Sequence, residues 1–189
     1  MTEFGYLSVF ASIVLGVGVS RLLTGAGRLV QRRRGVELHL PTLCWLVFLL
    51  LLHIQVWWAT FTWREVESWT FLGFVLFLTI PVAAFFLAVL VLPDLAVARK
   101  EEPDLERNFH QNRTWFFGIL TALPVMSLAQ ELVLSGELAR SLDTVARVLL
   151  IPAAALGALV GGERFHRVHA PAMLLFLAVY TFGLFLRLG

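Results

Sequence analysis

Six times along this chain a run of about twenty apolar residues passes with almost no charge, the length an α-helix needs to cross the hydrocarbon core of a bilayer. The runs lie at roughly 4–24, 41–63, 69–92, 114–134, 143–161 and 169–188. Each is far longer than a barrel strand and none alternates polar with apolar residues, so helix is the reading. The expected fold is all-α: a polytopic membrane protein, a bundle of six transmembrane helices forming one integral membrane domain over 1–189. Charged residues make up 15% of the chain, against about a quarter in soluble domains. The segments between spans are too short for a separate soluble domain, which excludes a soluble enzyme, a nucleic-acid module and a receptor with an ectodomain.

The charges that remain gather between the spans. Arg28, Arg32, Arg33, Arg34, Arg99, Lys100, Arg107, Arg113, Arg164 and Arg167 fall in the segments 25–40, 93–113 and 162–168, which six spans put on one side. The other side carries Arg64, Arg140 and Arg187. The positive-inside rule then predicts three cytoplasmic basic loops and both termini outside. Arginine used almost to the exclusion of lysine suggests a GC-rich bacterial source, and the cytoplasmic (inner) membrane is the expected location if that source is Gram-negative. The opening MTEFGY lacks a basic n-region and no A-x-A site follows, so the first span is expected to stay in the mature protein. Besides the bilayer itself, anionic lipid at Arg32, Arg33 and Arg34 is a candidate partner, set against the simpler role of a topology signal. No nucleic-acid partner is expected. Trp57, Trp58, Trp63 and Trp69 cluster at one end of the second and third spans, and Trp45 and Trp115 near the other, a pattern of two interfacial belts.

Polar residues inside the spans carry what functional signal there is. Ser8, Ser12, Gly16, Ser20 and Thr24 recur every four residues and share one face of the first span. Such a face suits a close helix-packing seam or, through Ser8 and Ser12, a water-lined path. His53 falls near the middle of the second span, where an imidazole is costly and can move protons, bind metal or simply donate a hydrogen bond. Gln55 points to another face, and Trp57 returns to the face of His53. Gln130 and Glu131 in the fourth span and Arg147 in the fifth sit at similar depth, about ten ångströms from the span centres toward the outside. Unpaired charge in hydrocarbon costs several kcal/mol, so Glu131 and Arg147 are expected to pair across consecutive antiparallel helices. The interior prolines Pro81, Pro124 and Pro152 are expected to kink the third, fourth and fifth spans.

Other chemistry is thin. Glu163, His166 and His169 have i, i+3, i+6 spacing, a weak candidate metal set beside Arg164 and Arg167. No cofactor is expected, since only His53 lies deep and bis-histidine haem ligation has no second deep histidine. GxSxG, phosphate-loop, HExxH and EF-hand patterns are missing, so a membrane enzyme is disfavoured. VFASIVLGVGVS in the first span resembles the FSDGVFAI motif of six-span bacterial potassium channels related to the lysosomal potassium channel. It lacks the aspartate, and the expected outside termini oppose that topology, so no family is assigned. Two function classes follow. One is a small oligomeric channel or transporter for an ion, proton or small solute, with His53, Gln55, Gln130, Glu131, Arg147, Ser8 and Ser12 along its pathway. The other is a non-transporting membrane subunit or scaffold in which these groups only fix helix packing. A homo-oligomer is expected in the first case, because short spans leave much apolar surface uncovered.

Overall fold

The computed structural model describes residues 2–32, 36–66, 68–93 and 104–184. They form α1 (Glu3–Gln31), α2 (Leu40–Ala59) with a short 3-10 extension (Thr60–Glu65), α3 (Phe71–Leu90), α4 (Leu105–Ser135), α5 (Leu142–Leu159) and α6 (Glu163–Leu184). All six α-helices are long and apolar enough to cross a membrane. Several run beyond the apolar windows. α1 continues through Gln31, α4 begins at Leu105 and α6 at Glu163, so much of what reads as polar loop is helix. Backbone hydrogen bonding does not stop where hydropathy does, and polar helix ends extend naturally into the headgroup region. Arg33, Arg34, Arg99, Lys100 and Arg187 lie outside the described residues.

The helix starts are chemically marked. Thr2, Thr70, Asp104 and Ser141 each accept a hydrogen bond from a backbone N–H three residues on, satisfying a donor that the first turn leaves free. α4 stops at Gly136, whose φ of 79° is the left-handed conformation that closes a helix at little cost to glycine. Pro81, Pro124, Pro152 and Pro171 all lie within helices.

The helices alternate in direction, as contacts at both ends show. At one end the backbone N–H of Trp69, just before α3, donates to Glu3 of α1, and Tyr180 of α6 meets Asp143 of α5. We term this the terminal end, because Thr2 and Leu184 lie there. At the opposite end His39 meets Glu163 across 124 positions of sequence. α2 is the central helix, packing against α1, α3 and α6, while α4 bridges α3 and α5. The core is built on Trp45, Phe48 and Leu49 of α2, Leu87 of α3, Phe117 and Leu120 of α4, and Met173 and Leu177 of α6. Trp45 is therefore not part of an interfacial belt: it is fully buried, edge-on to Phe48, Phe116 and Phe117. Trp115, by contrast, is exposed.

Within a bilayer apolar surfaces gain little by leaving lipid for protein, so close packing over small residues holds helices together. Three glycines show this. A methyl group added to Gly18 would overlap the His53 ring, one on Gly157 the Phe117 ring, and one on Gly25 the Leu92 side chain. Gly18 belongs to the buried stripe Leu7, Ala11, Leu15, Gly18, Leu22 and Leu29 of α1. The four-residue series lies beside that stripe. Ser8 and Ser12 are half-buried, whereas Gly16, Ser20 and Thr24 are exposed on the surface of the single chain.

Candidate functional site

A cavity of about 850 Å³ opens inside the terminal half of the bundle. Its walls come from α2 to α6 and from the 3-10 turn after α2; α1 contributes nothing. Leu52, Phe77, Leu120, Leu123 and Leu177 line it with apolar surface. Its polar lining comes from two sides, the end of α2 with its 3-10 turn and the facing parts of α4, α5 and α6, where the charged network lies.

Arg147 organises that lining. Its guanidinium pairs with Glu131 of α4, as equal depth in consecutive spans leads one to expect, and with Asp143 one turn earlier on α5 at 2.6 Å. It also donates to Ser127 Oγ at 3.2 Å. The second oxygen of Glu131 accepts from the Ala139 N–H at 2.9 Å, tying α4 to the turn before α5. The second oxygen of Asp143 accepts from the Tyr180 hydroxyl at 2.5 Å, tying α5 to α6. Arg147 and Glu131 are only 12% and 13% exposed and Asp143 31%, so the Arg147–Glu131 pair is largely withdrawn from water, where paired and hydrogen-bonded charge is the tolerable form. Two carboxylates against one guanidinium leave a formal excess of one negative charge. Glu137, also in the lining, adds to it, whereas Glu65 is paired with Arg64 at 3.2 Å.

Gln55 and Gln130 add buried amides to the polar surface, beside the hydroxyl residues Thr60, Thr62, Ser68 and Ser135. Both are buried and line the cavity, and among the described residues no hydrogen bond ties either amide to the protein. Prolines contribute in a second way. Pro81 and Pro124 have no N–H for the carbonyls four residues earlier, those of Phe77 and Leu120, and all four residues line the cavity. Pro152 is not in the lining.

The structure thus brings Gln55, Gln130, Glu131 and Arg147 to one cavity and leaves His53, Ser8 and Ser12 outside it. His53 is 1% exposed, donates from Nδ1 to the Leu49 carbonyl at 2.7 Å, and lies against Gly18; its Nε2 has no hydrogen-bond partner among the described residues. Ser8 and Ser12 bond to backbone carbonyls of their own helix, and Ser12 Oγ accepts from the Trp57 indole at 3.2 Å. Trp57 is therefore turned toward α1. Asp143, Ser127 and Tyr180 escape a search for charge inside apolar runs. Asp143 has a legible signal, four residues before Arg147 on a helix; Tyr180, 37 positions from Asp143, has none.

The weak metal set does not assemble as spaced. His166 is fully buried between the rings of Phe109 and Phe117, and His169 donates from Nε2 to the Ala153 carbonyl at 2.9 Å. Glu163 turns instead toward His39 of α2 and His110 of α4. No protein-family model, curated protein or solved structure matches this chain.

Proposed function

We propose that the protein is a small oligomeric membrane channel or transporter for an ion, proton or small solute, and that the terminal-end cavity is its binding or permeation site. The observation that carries this reading is the lining itself. Two buried amides line the volume, two prolines in its wall leave the carbonyls four residues earlier without their helical N–H donors, and the charged network leaves a negative excess, which together favour a cation or a polar cationic solute. The basic segments of the opposite end favour an outward-facing cavity by the positive-inside rule, and the arginine bias supports a bacterial inner membrane as its setting. Kinks at Pro81 and Pro124 widen the bundle around it, and a third at Pro152 bends α5. Few residues of α5 and α6 are fully buried within one chain, and contact between copies through such faces gives the oligomer.

One observation favours the scaffold reading. Every oxygen of Glu131 and Asp143 already has a partner in the protein, which suits a network that fixes helix register.

Flux of protons and monovalent ions into liposomes holding the purified protein separates the two. Transport predicts flux above that of empty vesicles, reduced about tenfold or more (~1.4 kcal/mol in barrier) by Glu131→Gln. That variant keeps the shape and an acceptor for Arg147. Unchanged flux in folded Glu131→Gln removes the network from the mechanism. A wild type silent across ions and pH favours the scaffold.

A further inference from the structure

We propose that Glu106, His110 and Glu163, joined by His39, form a binding site for a divalent first-row transition-metal ion at the end of the bundle opposite the cavity. The four residues come from the starts of three helices. His39 immediately precedes α2, Glu106 and His110 lie in the first two turns of α4, and Glu163 opens α6. One ligand atom from each of Glu106, His110 and Glu163 lies within 4.8 Å of the others. His39 Nε2 is 3.2 Å from both carboxylate oxygens of Glu163, and His110 Nε2 is 3.5 Å from Oε2.

Three of the four residues lie within 4.8 Å of one another, and His39 joins them through Glu163. A tetrahedral centre with bonds of about 2.0–2.1 Å holds its ligand atoms roughly 3.4 Å apart. The cluster needs only small side-chain adjustments to meet that spacing, because Glu106 is exposed and His110 is partly so. His39 is oriented for the role: its Nδ1 is 2.8 Å from Thr42 Oγ1. With the proton on Nδ1, Nε2 turns a lone pair toward Glu163, the arrangement that outer-shell hydrogen bonds give to metal-binding histidines. The ring is buried against Phe109, which limits its alternatives.

Charge is the opposing consideration. Three helix N-termini and Arg167, which donates to Glu163 Oε1 at 2.9 Å, make this end positive. Arg113, packed on Gly161, adds to that field. Glu106 and Glu163 offset it with two formal negative charges, and Arg167 occupies one oxygen of Glu163 while leaving Oε2 to the cluster. Two imidazoles with two carboxylates select zinc, iron, cobalt or nickel over magnesium and calcium, which prefer oxygen alone. The partly exposed position at the helix starts gives the ion a path from water. Glu163 is thus one ligand of a set drawn from three helices, and its helical neighbours His166 and His169 take no part.

The test is titration of the untagged, full-length protein in nanodiscs with Zn2+ by calorimetry, and with Co2+ by visible absorption. The site predicts one Zn2+ per chain with Kd below about 10 μM. It also predicts the intense d–d bands of tetrahedral Co2+, displaced by Zn2+. His110→Ala and Glu163→Gln should each weaken Zn2+ binding at least about tenfold. If Glu163→Gln fails to fold, the double variant Glu106→Gln, His110→Ala, at more exposed positions, carries the same expectation. Folded wild type that binds no Zn2+ below about 100 μM, or a folded double variant that binds as wild type does, overturns the site.

Discussion

Polar groups at the two ends of this bundle are held in different ways. At the terminal end, Glu131, Asp143, Arg147 and Tyr180 join α4, α5 and α6 around an open volume, and charge is balanced against charge. At the opposite end, His39, His110, His166 and His169 lie among the rings of Trp45, Phe109, Phe117 and Phe165, and ring packing positions them together with single polar contacts, His39 and His110 to Glu163 and His169 to the Ala153 carbonyl. The first arrangement depends on every partner being present, because removing one leaves buried charge exposed to an apolar medium. The second depends on shape. The ion pairs differ accordingly. Arg147 is 12% exposed, whereas Arg167, the partner of Glu163, is 64% exposed and pairs largely in water.

The largest effect is expected where charge is buried. Arg147→Met keeps the bulk of the side chain but leaves Glu131 and Asp143 without their cation, a loss of about 3–5 kcal/mol if both stay ionised. Reversible unfolding in mixed micelles, compared with wild type, measures it. A loss under ~1 kcal/mol would show that water in the cavity solvates the carboxylates, and the contrast between the ends would narrow to one of geometry.

A smaller effect is expected where shape decides. Gly157→Ala drives a methyl group into Phe117, which is fully buried and hemmed in by Trp45, Phe116 and His166. Overpacking of this kind costs about 1–3 kcal/mol. The same unfolding assay reads it. Pairing it with Phe117→Leu should recover part of the loss, since the smaller side chain makes room. No recovery would mean that the strain falls on the backbone of α5 rather than on the ring.

The contrast also explains what a reader of the sequence sees. Six spans are legible because hydropathy over twenty residues is a strong signal and the bilayer demands helix. The Glu131–Arg147 pair is legible because consecutive spans must be neighbours in depth, so two charges at one level suffice. Helix ends are less so: Leu105 and Glu163 begin helices inside polar stretches, where capping by Asp104 and backbone hydrogen bonds decide. The histidine end is hidden altogether. His39 and Glu163 meet because α2 packs on α6, a neighbour relation that no local pattern encodes. Trp45 misleads for a similar reason: a tryptophan near a span end reads as interfacial until the packing of α4 over it is known.

The smallest expected effect belongs to the exposed pair. Arg167→Ala removes the donor at Glu163 Oε1, but His39 and His110 remain beside that carboxylate. A mostly solvated partner one helical turn away contributes about 0–1 kcal/mol, less as salt is raised. Unfolding at low and high ionic strength should therefore show a difference from wild type that shrinks with salt, and the Arg147→Met loss should shrink far less. Equal salt sensitivity at the two ends would mean that the Arg147 network is as well hydrated as Arg167. The cavity would then be a water-filled vestibule, and its carboxylates would need no cation from the protein to stay ionised.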